Sequence, residues 1–303
     1  MPPAKATHDL HLSRSAEDLI ARLSRRSIDL NKVLAPYVAD LMRYGIVVAG
    51  SIADGVGTAR SDVDILVLAE GAAEALSQGP MEVRRRWSAE WLIYEHGIEF
   101  NIELVTRSAM GEGLSAFLGI APLLYDPRGV KTLPILSEEA MELLHRLRSG
   151  WPVCGEDLVA NWRDEFMVTI LPLYAALYHY VAHLEALEDA RALAGDDDGS
   201  FCLAAGESAR SGIVSMLALA GVTNQSRKWS VRLARHSLAP RHSAWLEQVL
   251  PLMFLPGDLN DTDCAIVLGR LSKIGTYLRE QIDKDLDLGR GATMILDQIH
   301  YTT

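Results

Sequence analysis

Apolar positions recur every three to four residues in some stretches of the chain and every second residue in others. Residues 15–44 predict an amphipathic helix, with Leu30, Val33, Leu34, Tyr37, Val38, Leu41 and Met42 at helical spacing and Arg25, Arg26 and Lys32 before or between them. Gly45 predicts its stop, as a left-handed cap would. Short apolar runs predict strands at about 46–49 and 62–69. The charged stretch 81–95 predicts another helix, in which Glu82, Arg84, Arg85 and Arg86 precede Trp87, Trp91 and Leu92. Strict alternation returns at 98–105. Ile98, Phe100, Ile102 and Leu104 share one face, and Glu99, Asn101 and Glu103 share the other, so a half-buried strand with an open acidic face is expected. A helix predicted at 137–149 leads to Gly150-Trp151-Pro152, the expected domain boundary.

From about residue 160 onward the period is helical throughout. Phe166, Ile170, Leu173, Tyr174, Leu177, Tyr178 and Val181 form one stripe. The loop 194–199, with Asp196, Asp197 and Asp198, separates that helix from one at about 200–220. Further helices are expected at about 226–236, 241–254 and 261–283. Connections of this length predict an up-and-down helical bundle over 151–303, after a mixed α+β region over 1–150.

The chemistry is concentrated between residues 50 and 67. Gly50-Ser51 follows the apolar run 46–49, a glycine-rich connection comes next, and Asp62 and Asp64 then stand two apart at the start of a second apolar run. Residues two apart on a strand point to the same face, roughly 6.5–7 Å apart. Two such carboxylates repel each other unless a cation lies between them. Hard oxygen ligands beside a Gly-Ser turn suit Mg²⁺ carrying a nucleoside triphosphate. The alternative is a solvated Asp-x-Asp on a surface strand, which the upstream Gly-Ser pair argues against.

The segment resembles the signature of the nucleotidyltransferase superfamily, whose fold is typified by DNA polymerase beta and shared by kanamycin nucleotidyltransferase and the minimal nucleotidyltransferases. The resemblance spans residues 45–107. It implies a catalytic domain with a mixed β-sheet over 1–150, a helical acceptor-substrate domain over 151–303, and a third carboxylate on a neighbouring strand. The ending Glu103-Leu104-Val105-Thr106-Arg107 is similar to the third-acid strand of the minimal enzymes, which selects Glu103, with Glu99 on the same face as competitor. In such enzymes Asp62, Asp64 and Glu103 would hold two Mg²⁺ ions, and Glu103 would take the proton from the acceptor hydroxyl. Gly50 would let the backbone approach the phosphates, and Ser51 would offer its hydroxyl and N–H. Leu123-Leu124-Tyr125-Asp126-Pro127-Arg128-Gly129 resembles the edge strand and turn that close this domain in many relatives.

The implied activity is Mg²⁺-dependent transfer of a nucleoside monophosphate, AMP from ATP foremost, to a hydroxyl of a small molecule such as an aminoglycoside-like antibiotic. The alternatives are transfer to a protein, peptide or tRNA, and a non-catalytic nucleotide-binding regulator. The helical half weakly resembles that of the aminoglycoside enzymes around Ser226-Arg227-Lys228-Trp229, which makes Lys228 a candidate triphosphate contact, against a plain surface lysine. Arg60 is read as a triphosphate contact or a solvated loop residue, and Ser61 as a brace or cap of the acid-bearing strand. Arg210 reads as an ion pair with Glu207. His179 and His183, four apart with Glu185 beyond, have metal-ligand spacing, but core or surface histidines are the stronger expectation. Glu185, Glu188, Asp189 and Asp196 to Asp198 read as a solvated acidic face or a site for a polyamine-like substrate.

Composition narrows the partners. The 303 residues carry a formal net charge of -11, which disfavours nucleic acid on a broad basic surface. Hydrophobic residues are 49% and charged residues 23%, ordinary for a globular protein. Cys154, Cys202 and Cys264 lack zinc spacing and are expected reduced and buried. Met1-Pro2-Pro3-Ala4-Lys5 has no secretory apolar region and no apolar run approaches a membrane span, so a cytoplasmic location is expected.

Overall fold

The computed structural model describes residues 29–38, 41–58, 60–71, 83–84, 88–120, 124, 133, 135–257 and 259–284. They group into two compact units, the first taking 1–118 and 136–169 and the second 119–135 and 170–303.

The first unit is built on a mixed sheet. Its strands are β1 (Gly45–Ala49), β2 (Val63–Ala69), β3 (Val83–Arg84), β4 (Ser88–Glu95), β5 (Ile98–Thr106) and β6 (Trp151–Cys154), in the order β3-β4-β5-β2-β1-β6. The β2–β5 pair is parallel and the other pairs are antiparallel. Alternate residues of β2 and β5, including Val63, Ile65, Val67, Phe100, Ile102 and Leu104, pack one face into a core. The other face is also apolar at Val47, Leu66 and Leu68, all buried, and turns polar at Asp64, Asn101 and Glu103. Helices α1 (Leu30–Leu34), α2 (Gly50–Ala53), α3 (Arg107–Gly113), α4 (Ser115–Ile120), α5 (Glu138–Ser149) and α6 (Glu156–Glu165) complete the described elements up to residue 169.

The fold departs from three expectations. The stretch 15–44 is not one helix in its described part: α1 is capped by Asp29, residues 35–37 turn, and Leu41–Arg43 is a separate 3₁₀ turn. Pro36 explains the break, because it lacks an amide donor and restricts the residue before it. The helix expected at 81–95 is instead β3 and β4, with residues 81, 82 and 85–87 outside the described set. Ala89 and Trp91 face the core at strand spacing. His96 and Gly97, both at positive φ (48° and 72°), make a two-residue turn that pairs Glu95 with Ile98. The boundary expected at 150 falls inside the sheet, because Trp151–Cys154 pairs with β1, and the division of the units comes at 169/170 instead. The edge strand and turn expected at 123–129 lie outside the described residues, apart from Leu124.

The second unit is helical: α7 (Leu171–Leu193), α8 (Asp198–Leu219), α9 (Ser230–Ser237), α10 (Ala239–Val249) and α11 (Asp261–Lys284), with a 3₁₀ turn at Leu250–Phe254. Helices α7 and α8 form an antiparallel hairpin in which Ser215 Oγ donates to the Ala176 carbonyl at 2.8 Å and Ser208 Oγ to the His183 carbonyl at 3.0 Å. Gly212 on α8 makes room for α11, since a Cβ there would meet Ile274 at 2.9 Å. Asp197 caps α8 by accepting from Ser200 N, as a short polar side chain does at a helix start. Among the described residues no single helix is long and apolar enough to cross a membrane.

Candidate functional site

The Gly-Ser turn and the acid-bearing strand are built against each other. Gly50 adopts φ +70°, and a Cβ placed on it would lie 1.8 Å from Asp64 Oδ2. Only glycine fits there, both for its backbone conformation and for the carboxylate above it. Ala49 pairs with Asp64 across β1 and β2, which brings the turn to that carboxylate. The Ser51 carbonyl closes the following loop by accepting from Gly57 N at 2.7 Å and Val56 N at 3.0 Å. Ser61 is buried and braces the same loop, its Oγ accepting from Thr58 N at 2.8 Å. Arg60 is exposed.

The acids lie at the polar end of one sheet face. Parallel register sets Asn101 beside Asp64 and Glu103 beside Leu66, so Asp64, Asn101 and Glu103 share a face. Glu90 stands opposite Glu103 on β4. Asn101 Nδ2 donates to Asp64 Oδ1 at 3.3 Å. Asp62, half-buried, immediately precedes β2. Burial pushes the Asp64 carboxyl up to about 6, with Asp62 adding to the rise and Arg146 and Asn101 opposing it.

Arg146, on α5, is a member of the site that the sequence alone does not reveal. Its Nη1 donates to Glu103 Oε2 at 2.8 Å, and its Nη2 donates to Glu142 Oε1 at 2.6 Å and lies 3.8 Å from Asp64 Oδ1. Burial alone would lower its pKa, but the three carboxylates outweigh that and hold it above its ordinary value. The neighbouring His145 reaches the Gly-Ser turn from the same helix, with Nε2 3.0 Å from Asp54 Oδ2 and both side chains only 7% exposed. The available signal is the helical pattern of α5, which carries His145, Arg146 and Arg148 among buried leucines, but nothing local indicates what they face.

Glu103 and Asp64 are thus brought together, with a guanidinium between them. Glu99 is set apart: it is half-buried and accepts from the Tyr94 hydroxyl at 2.7 Å. The acidic face expected to be open along β5 is therefore partly closed, since Glu103 is only 7% exposed. Among the described residues no three His, Cys, Asp or Glu side chains form a group able to hold a metal ion. The oxygen donors are chemically suited to Mg²⁺, but Arg146 stands where Asp64 and Glu103 would share a cation. The arrangement does not fit the three-carboxylate centre that the resemblance implies.

The other candidates resolve locally. Lys228 Nζ lies 4.9 Å from the Trp229 ring centroid, a cation–π contact. Arg210 Nε donates to both Glu207 oxygens, at 3.1 and 3.0 Å, as the ion-pair reading expected. His179 and His183 are buried in the second unit, His183 Nδ1 lying 2.9 Å from the Ser208 carbonyl. They are core histidines, and Glu185 is exposed. Of the three free cysteines only Cys264 is buried. Cys154 and Cys202 are half-buried, a correction to the expectation for all three.

No protein-family model matches the chain, and no curated protein does. A solved nucleotidyltransferase-like protein from Exiguobacterium sibiricum 255-15 is similar over 89% of this chain and 78% of that one, at 14% identity and a TM-score of 0.43. At that distance function has to come from this chain's own side chains.

Proposed function

We propose that the first unit is a nucleotidyltransferase. It binds a nucleoside triphosphate, ATP foremost, against Gly50 and Ser51 and moves the nucleotidyl group to a hydroxyl of a small molecule, with aminoglycoside-like antibiotics the first acceptors to try. The observation that carries the reading is the seating of Asp64 Oδ2 over the Cα of Gly50, which holds a turn suited to phosphate against a carboxylate suited to the reacting end. In the transfer, the acceptor oxygen bonds to the α-phosphorus, the bond to the bridging oxygen breaks, and pyrophosphate leaves with that electron pair. The hydroxyl proton passes to a carboxylate of the Asp64–Glu103 pair. Ser51 contributes its N–H and hydroxyl to the phosphates, and Asp62 sets the negative field beside Asp64. No step is assigned to Mg²⁺, because the carboxylates as arranged do not fit it.

A second reading, a nucleotide-binding regulator without transfer, is favoured by Arg146, whose guanidinium already neutralises the acids a metal would use. One experiment separates the two. The full chain is incubated with α-labelled ATP, Mg²⁺ and, in turn, an aminoglycoside, tRNA or the protein alone. Label on the aminoglycoside, lost in Asp64→Asn, supports the proposal. Label on tRNA or the chain itself reassigns the acceptor. ATP binding without pyrophosphate release for any acceptor favours the regulator.

A further inference from the structure

The second unit carries a groove that the proposed transfer does not use. Helices α10 and α11 each turn one stripe toward it, Arg241, Trp245 and Gln248 from α10 and Arg270, Lys273 and Tyr277 from α11. Spacings of three and four residues put Arg270, Lys273 and Tyr277 on one face of α11 and Trp245 and Gln248 on one face of α10, with Arg241 just before the break at His242. The groove encloses about 430 Å³. That is within the range of small-ligand sites, roughly 300–1,000 Å³.

Its lining combines two chemistries. Arg241, Arg270 and Lys273 are exposed and form no ion pair with a described side chain, although the chain as a whole carries a net charge of -11. Glu280, which faces Tyr277, is paired with Lys284 at 3.7 Å. In the same lining, the Trp245 and Tyr277 rings stack with centroids 5.6 Å apart and planes at 25°. Their placement is fixed: α10 leaves helical geometry at His242 (φ -133°, ψ 29°), and His242 Nδ1 lies 2.8 Å from the Tyr277 hydroxyl. Trp245 Nε1 is buried and finds no acceptor among the described residues. A buried indole N–H normally has one.

We propose that this groove binds a nucleoside phosphate, its planar base lying on the Trp245–Tyr277 pair and its phosphate meeting Arg241, Arg270 and Lys273. Stacking on aromatic faces accepts any base, and cations in the same lining select the phosphorylated form over the nucleoside. The site is independent of the proposed transfer and stands if that reading fails.

The test titrates the full chain with AMP, adenosine and inorganic phosphate by calorimetry, at low ionic strength. AMP is expected to bind at least about tenfold more tightly than either fragment. The paired change Arg270→Gln with Lys273→Gln should weaken AMP by at least about tenfold, the scale of one charge-assisted hydrogen bond. Trp245→Leu should bring AMP down to the affinity of inorganic phosphate. Asp62→Asn, in the candidate site of the other unit, should leave AMP binding at this groove unchanged. No AMP binding in the millimolar range overturns the proposal, as does AMP no tighter than phosphate. Loss of binding in Asp62→Asn with retention in the paired variant would place the nucleotide in the first unit and overturn it equally. A short oligoadenylate that binds far more tightly than AMP would assign the groove to single-stranded nucleic acid instead.

Discussion

Arg146 Nη1 donates to Glu103 Oε2 at 2.8 Å while Nη2 lies 3.8 Å from Asp64 Oδ1, so one buried guanidinium is shared by the two acids of the candidate site. Removing one partner of such a group strands the others. Arg146→Gln should destabilise the first unit by about 3–5 kcal/mol, because Glu103 and Asp64 are left as buried like charges. If the site can accept a divalent cation once the guanidinium is gone, Mg²⁺ or Mn²⁺ will raise the melting temperature of the variant more than that of the wild type. Thermal melts with and without the ion read both effects. An equal shift in the two proteins would count against a cation site at these carboxylates.

Gly50→Ala tests the seating of the turn. The new Cβ would fall 1.8 Å from Asp64 Oδ2 at a φ of +70°. A loss of at least about 2 kcal/mol is expected, since steric overlap adds to backbone strain. A methyl added at Gly111, in α3, would meet nothing within 4 Å, so Gly111→Ala should be neutral or gain up to about 1 kcal/mol of helix propensity. Urea denaturation of the two variants makes the comparison.

Asp64 gives a pH dependence whose sign is unusual for a carboxylate. Its folded-state pKa is raised to about 6 from 3.8, so between those values the folded protein holds a proton that the unfolded chain has released. Stability from this group is therefore present below about pH 4 and is lost as pH rises through 6, by an amount on the order of 3 kcal/mol. Asp64→Asn should be more stable than the wild type at pH 7.5, and the difference should shrink toward pH 4. A difference independent of pH would show that Asp64 is not held in a desolvated setting. The same variant should abolish pyrophosphate release.

The second unit should fail in acid for a different reason. Burial lowers His179 to about 4, and His183 is lowered for the same cause. The unfolded chain binds these protons near 6.5, so stability falls as pH drops from about 6.5 toward 4. His179→Phe should flatten that slope in melts monitored over the same range. An unchanged slope would assign the acid sensitivity elsewhere.

Strands β1, β2 and β5 are legible in the sequence because their apolar runs and alternation are local signals, and Asp62, Asp64 and Gly50 can be read from the same short segment. The stretch 81–95 misleads because its arginines and tryptophans at irregular spacing imitate a helix, whereas pairing with β5 and the His96-Gly97 turn decide the matter. Most of the second unit's helices are legible, while the groove between α10 and α11 is not. Its stripes are separate in sequence, and only packing brings Arg241 and Arg270 into one lining. Arg146 escapes for the same reason: 43 residues separate it from Glu103, and its partner is chosen by the sheet.

His145 and Arg146 are consecutive on α5, yet one grips Asp54 after the Gly-Ser turn and the other grips the acids on the strands. That makes α5 a caliper with both jaws on one arm. Any displacement of the helix slackens the turn and the acids in a single movement, so the two halves of the site are tensioned or released as one.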